Sequence, residues 1–239
     1  GLDKALETEA DIIVTMDADG QFNPKDVRKL VSPILEGKAD MVTCTRFHDP
    51  RMKKEMSSLK FFGNTLFTGL INVLTKEKFT DTQCGFRAYS KEAVLRLTTF
   101  GKFTYTQEVF LDLVEKDMVI KEVPCRVKPK REGKSRVVKS PLSYGLKALK
   151  IIIRAQRDYH PLKFFGALAV FFFATALVLT ILLILKPFDI IFFTPNWAMG
   201  LFITSLMMGT MALLAEMNVR QRKLHEEILY EIRKRKFRK

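Results

Sequence analysis

The sequence predicts an α/β domain with a mostly parallel sheet and flanking helices, followed by a hairpin of two transmembrane helices. Three observations carry this. Short strand-like runs at Ile12 to Val14, Met41 to Thr45 and Val119 to Lys128 alternate with segments of helical apolar spacing, the pattern that builds a parallel sheet. The first of these runs ends in acid, and open α/β sheets gather ligands beyond the carboxyl ends of their strands. Phe164 to Leu185 carries no charged residue, enough to cross a hydrocarbon layer of about 30 Å at about 1.5 Å per residue.

Composition narrows the partners. Lys and Arg outnumber Asp and Glu by 40 to 26 in 239 residues, an excess that suits nucleic acid, anionic lipid or phosphorylated substrates. No recognised nucleic-acid module is present and the positive charge collects beside the apolar spans, so nucleic acid is excluded as the partner. Cys44, Cys84 and Cys125 are far apart, odd in number and in no CxxC pair, which suggests a reduced compartment and no zinc site. The chain opens Gly1-Leu2-Asp3 without Met and without a charged-then-apolar leader, so an upstream stretch is expected.

Leu2 to Glu9 reads as the tail of a helix feeding the strand at Ile12, which is apolar and β-branched throughout and predicts burial on both faces. Asp17 and Asp19 follow two apart, so their carboxylates share a side if the chain stays extended. Gly20 permits a turn, Asn23 can cap a helix and Pro24 suits its first position. Two hard oxygen ligands at a strand end, with the amide oxygen of Gln21, suit Mg²⁺ or Mn²⁺ shared with substrate phosphates. Val27, Leu30, Val31, Ile34 and Leu35 then follow helical spacing as far as Gly37. Arg46 closes the Met41 to Thr45 strand on the acids' edge, where a guanidinium can grip a phosphate bidentately.

His48 to Ser57 reads as a basic loop. Leu59, Phe62, Leu66, Leu70 and Leu74 mark a helix that lies against the sheet or a membrane surface. The stretch DTQCGFRAYS, Asp81 to Ser90, reads as polar turn, glycine and short strand, with Ser90 opening a helix and Asp81 a third acid for the active edge or an Asx turn. Gln107 and Glu108 begin a helix with Phe110, Leu113 and Val114 inward. Beyond the Val119 strand, the loop KREGKSR places Arg131, Lys134 and Ser135 around Gly133, a pattern that wraps an anion with backbone N–H groups and cations.

Pro141 to Pro161 reads as a basic amphipathic helix at the headgroups. A second apolar stretch, Ile190 to Ala215, completes the hairpin. Basic residues precede the first span and follow the second, which puts the catalytic domain and the C-terminus in the cytosol. The tail from Val219 to Lys239 is helical, with Leu224, Ile228 and Ile232 on one face, and either runs along anionic lipid or pairs with another copy. The expected organisation is thus a catalytic domain over 1–139, a membrane-surface helix over 140–162, two spans over 163–217 and a basic cytosolic helix over 218–239.

With DADGQ, TRF, DTQCGFRAYS, KREGKS and RDYHPLKFFG in hand, the chain resembles the family-two inverting glycosyltransferases, in particular the dolichyl-phosphate mannose synthase group that glycosylates polyprenyl phosphates. The resemblance implies the GT-A (Rossmann-like) fold, incomplete here at the N-terminus because the family's first strand has no counterpart. It implies a nucleotide sugar donor, GDP-mannose first, and a polyprenyl phosphate acceptor. Asp17, Asp19 and Gln21 correspond to the metal-holding residues, Asp19 among the catalytic ones. Arg46 corresponds to a lipid-phosphate contact and Arg131 to one at the reacting phosphates. Where relatives carry Arg and, four residues on, Ser for the acceptor phosphate, this chain has Lys60 and Asn64.

The residues also dictate a mechanism. A phosphomonoester is mostly ionised at neutral pH, its second pKa being about 6, so it can attack an anomeric carbon without a general base. An alcohol acceptor needs one, for which Asp81 or Glu108 are the candidates. A processive polysaccharide synthase is a rival, but its QxxRW motif is absent, the one tryptophan being Trp197 after Asn196. A catalytically dead lipid-binding scaffold is the non-enzymatic rival, and the intact DADGQ speaks against it.

Overall fold

A computed structural model describes residues 1–47, 58–98, 105–125, 127, 153, 157, 160–185 and 195–237. The chain forms two compact units, Gly1–Leu149 with Glu226–Lys239, and Lys150–His225.

In the first unit, α1 (Leu2–Leu6) leads into β1 (Ile12–Thr15). The chain then turns at Gly20, φ +72°. Asn23 accepts from the Lys25 amide at 3.0 Å and caps a 3-10 turn, Pro24–Asp26, with Pro24 at its first position. That turn continues into α2 (Val27–Leu35), which stops where Gly37 takes φ +64°. Next come β2 (Met41–Thr45), α3 (Ser58–Thr75), β3 (Arg87–Ser90), α4 (Lys91–Arg96), α5 (Tyr105–Glu115) and β4 (Ile120–Pro124). Ser90 caps α4 by accepting from the Ala93 amide at 3.0 Å.

The sheet order is β1-β3-β2-β4. β2 and β4 are parallel, whereas β3 runs antiparallel to both of its neighbours. β1, β2 and β4 therefore point the same way, and their carboxyl ends share one edge. The reversed strand β3 is a feature that strand-like runs alone do not reveal, because direction is set by connection and not by composition. β2 is central and buried at all five residues. β1 lies at an edge of the described sheet, so only Ile13 is fully buried, and the expected burial on both faces is not met there.

One face of the sheet packs Phe22, Leu30, Val42, Cys44, Cys84, Phe86, Ala88 and Cys125 into a single apolar cluster beneath α2. Leu30 alone, fully buried, contributes about 1.5–3 kcal/mol by leaving water. The opposite face carries Arg87 and Tyr89, with Arg87 stacked 4.9 Å over Phe110 of α5 and Phe110 in turn 4.8 Å from Phe79. On α3 the inward residues are Gly63, Asn64, Phe67, Thr68 and Ile71, while Phe62 is exposed and Leu66, Leu70 and Leu74 are half-buried. The polar pair Asn64 and Thr68 goes inside because each has a partner in the loop before β3.

The second unit contains α6 (Pro161–Leu185) and most of α7 (Pro195–Lys236), both long and apolar enough to cross a membrane. Small residues bring the two together: Ala176, Ala198 and Ser205 are buried, and the Ser205 hydroxyl donates to the Ala169 carbonyl at 2.9 Å. The link over 186–194 and the expected surface helix, apart from residues 153, 157 and 160, lie outside the described residues.

The tail is not a separate helix. From Thr210 to Lys239 there is neither Gly nor Pro, so α7 runs without a break to Lys236. Its last turns belong to the first unit, and the inward face is not the Leu224, Ile228 and Ile232 stripe, which is exposed. Tyr230 is buried instead, with the Arg96 guanidinium 4.0 Å over its ring. Arg233 donates to the carbonyls of Leu97 at 2.7 Å and Leu95 at 3.4 Å, and Glu226 meets Lys116 at 3.4 Å. The apolar stripe loses because the Arg233 guanidinium satisfies the carbonyl end of α4 while the Tyr230 ring buries carbon under Arg96.

Candidate active site

The acid edge follows from strand register. β1 and β3 pair Thr15 with Arg87, and carrying that register two residues further sets Asp17 opposite Gly85. The contact is real: a Cβ at Gly85 would stand 2.8 and 2.9 Å from the two Asp17 carboxylate oxygens. The Thr15 hydroxyl donates to the Gly85 carbonyl at 3.0 Å and fixes the approach. Asp17 is exposed, whereas Asp19 and Gln21 are half-buried. Asp19 accepts from the Gln21 amide at 3.2 Å, an Asx-type turn that Gly20 makes possible. Phe22 then anchors the loop, 5.1 Å from Phe86 and bridged to Val127.

Among the described residues no group of three His, Cys, Asp or Glu forms a metal site by itself. Two aspartates and an amide oxygen on one short loop are a hard donor set of the kind Mg²⁺ or Mn²⁺ takes when a substrate supplies the remaining oxygens. The glycine cradle against Asp17, which any side chain would fill, fits that use. Asp17, Asp19 and Gln21 are the residues that would hold the ion.

At the end of β2 the Arg46 guanidinium binds the Asp81 carboxylate side-on, Nε to Oδ2 at 2.6 Å and Nη2 to Oδ1 at 2.9 Å. The Arg46 backbone amide adds a third bond to Oδ2 at 3.3 Å. Asn64 donates to Oδ1 at 3.3 Å and the Gln83 amide at 3.2 Å. Asp81 is fully buried and both its oxygens are engaged, while the Arg46 side chain stays about one-fifth exposed, at 21%. Burial works against the Arg46 charge, but Asp81 more than offsets it and moves the pKa above the ordinary arginine value, so Arg46 remains cationic. Asp81 is thus built as the orienter of Arg46. Nothing in this geometry gives it an open lone pair for a proton.

Asn64 is buried and faces Asp81. Lys60 lies in α3 with its side chain outside the described residues, as do Arg131, Lys134 and Ser135 entirely. Glu108 is half-buried in the first turn of α5. Two further residues hold the loop between Asp81 and Gly85, and sequence spacing singled out neither. Arg87, almost fully buried, donates through Nε to the Cys84 carbonyl at 2.8 Å and through Nη2 to the Thr82 carbonyl at 3.0 Å. Glu122 on β4 accepts from the Thr80 amide, the Thr80 hydroxyl and the Asp81 amide at 2.8 to 2.9 Å. Their signal was there to read: a charged residue inside a strand, Arg87 in FRAYS and Glu122 in IKEVP.

One edge of the sheet thus collects two aspartates beyond β1 and an anchored arginine beyond β2, groups suited to handling anions. Residues 4–98 match the family model described as Glycosyl transferase family 2. Among relatives, the UDP-N-acetylglucosamine–dolichyl-phosphate N-acetylglucosaminyltransferase of Methanococcus voltae is 34% identical over 129 residues, 53% of this chain and 51% of the relative. Glycosyltransferase AglJ of Haloferax volcanii is 26% identical over 174 residues, 72% of this chain and 56% of the relative. The chain spans about half the length of the relatives it matches.

Proposed function

We propose that this protein transfers a hexosyl group, with inversion, from a nucleotide sugar to the phosphate of a dolichyl or other polyprenyl lipid at the cytosolic face of a membrane. The observation that carries the reading is the shared edge: the Asp17 and Asp19 loop leaves β1, and Arg46 leaves β2, on the same side of the sheet. Two apolar helices long enough to span a bilayer in the same chain favour an acceptor that itself resides in lipid.

In this reading one oxygen of the lipid phosphate attacks the anomeric carbon as the bond to the nucleotide diphosphate breaks, and the electron pair departs with the diphosphate. The ionised phosphate supplies the nucleophile, so no base is needed, which agrees with an Asp81 whose oxygens are already engaged. Arg46 holds the acceptor anion against its repulsion from the donor. A divalent ion on Asp17, Asp19 and Gln21, when bound, would neutralise charge developing on the leaving diphosphate. Arg131, Lys134 and Ser135 would add cationic and amide donors to the same anions.

Mannose from GDP-mannose is the favoured donor on the motif resemblance. The name of the Methanococcus voltae relative supports UDP-N-acetylglucosamine as the second candidate. Full-length protein in vesicles, offered a panel of nucleotide sugars with a short polyprenyl phosphate and Mn²⁺, should glycosylate the lipid from one donor with inverted anomeric configuration. Asp19→Ala should lower turnover by at least about 100-fold. Unchanged turnover would remove the metal role, and no lipid product with any donor would remove the function.

A further inference from the structure

We infer that Glu122 is a positioning residue for the acceptor phosphate, acting on Arg46 through Asp81. The inference rests on the reading of Arg46 as the acceptor's anion contact. Glu122 lies on β4 in register with Thr43 of β2, two residues before the strand end that carries Arg46. Its two carboxylate oxygens are divided over the neck of the loop: Oε2 receives the Thr80 amide at 2.8 Å and the Thr80 hydroxyl at 2.9 Å, and Oε1 receives the Asp81 amide at 2.9 Å. The Thr80 hydroxyl also meets the Thr45 hydroxyl at 2.7 Å, which ties the same neck to β2 next to Arg46.

This neck decides where the Asp81 carboxylate stands. Asp81 is fully buried, and its side chain spends its oxygens on Arg46, Asn64 and the Gln83 amide. Side-on pairing through Nε and Nη2 fixes the plane of the Arg46 guanidinium and leaves Nη1 as the nitrogen that makes no contact with Asp81. Glu122 therefore sets the backbone of Asp81, Asp81 sets the guanidinium, and the guanidinium presents one edge to an anion. An ionised carboxylate suits the first step, because hydrogen bonds to a charged acceptor are shorter and stronger than neutral ones.

Kinetics of the full-length protein in vesicles, with the active nucleotide sugar, Mn²⁺ and a short polyprenyl phosphate, test this. Glu122→Ala should raise KM for the polyprenyl phosphate about tenfold and leave KM for the nucleotide sugar within about twofold, a split that general loosening of the fold would not produce. Glu122→Gln, which keeps one acceptor oxygen and the shape but not the charge, should leave the acceptor KM raised about threefold. On an Arg46→Ala background Glu122→Ala should add less than about twofold, since both act through one guanidinium. Equal rises in both KM values, or full additivity with Arg46→Ala, would overturn the inference while leaving the acceptor role of Arg46 intact. An Arg46→Ala protein with unaltered acceptor KM would overturn both. If Glu122→Ala does not fold, as judged by thermal melting, Glu122→Gln carries the test: an acceptor KM raised about threefold supports the inference and an unchanged one sinks it.

Discussion

The carboxylate of Asp17 occupies the space where Gly85 would carry a Cβ, 2.8 and 2.9 Å from its two oxygens. A methyl group at that position forces the acid to move, and the moving atoms are the far end of a short side chain and not the backbone. Gly85→Ala should therefore cost less than about 1 kcal/mol of stability, within the range of mild substitutions. Its effect should fall on the ion: Mn²⁺ affinity in the presence of the nucleotide, followed by paramagnetic resonance, is expected to drop about tenfold through the displaced ligand. Unaltered Mn²⁺ binding would mean that Asp17 does not need this rotamer to hold an ion.

The Arg46 and Asp81 pair makes an asymmetric prediction for stability. Asp81→Asn removes the counter-charge from a guanidinium that is largely enclosed, and the expected cost is about 3 kcal/mol, the lower end for a broken buried pair because Arg46 is partly solvated. Replacing both partners, Arg46→Met with Asp81→Leu, should restore most of that stability and none of the transfer activity. Denaturation midpoints of the two variants check the first part and vesicle assays the second. A double variant no more stable than Asp81→Asn would show that the pair's neighbours, Asn64 and the Gln83 amide, need the carboxylate as much as Arg46 does.

What could be read from residues alone was local. The cap at Asn23, the stop at Gly37, the β2 strand and the start of α4 at Ser90 are written in side chains that act within a few positions, and the structure has each of them. Long-range pairing was not legible. Cys44, Cys84 and Cys125 look unrelated along the chain, yet β2, the loop before β3 and the end of β4 converge, and all three thiols are buried in one cluster. Contacts with Cys125 and Cys84, together with burial, push the Cys44 thiol well above its ordinary pKa, so it behaves as a small apolar filler. Asp81 shows the same limit: its identity marked it for the active edge, but only the fold reveals that its partner is Arg46.

Asp112 offers a pH dependence whose sign is fixed. Burial raises its carboxyl pKa, and the opposing pull of Lys116 and of the Thr98 amide does not cancel the rise. A raised folded-state value means that Asp112 stabilises the fold most when protonated. Its contribution is fully present below the unfolded value of about 3.9 and is lost as pH rises through the higher folded value. Wild-type protein should therefore lose stability relative to Asp112→Asn as pH increases from about 4 towards neutrality. Melting temperatures of the two proteins across that window provide the check, and a difference that grows in favour of wild type would contradict the assignment.

The docked end of α7 predicts which of its residues matter. Tyr230 is 5% exposed beneath the Arg96 guanidinium, and Arg233 closes the carbonyl end of α4 by donating to Leu95 and Leu97. Truncating the ring removes its packing and the cation–π contact together, so Tyr230→Ala should destabilise the first unit by about 3 kcal/mol. Arg233→Ala should cost about 1–2 kcal/mol through the unsatisfied helix carbonyls. Leu224 and Ile228 are 66% and 57% exposed, so Leu224→Ser and Ile228→Ser should leave the melting temperature of the first unit within about 1 °C, as surface substitutions do. If the serine variants melt early and Tyr230→Ala does not, the tail is held by its apolar stripe, against lipid or a second copy, and the α4 dock is not what anchors it.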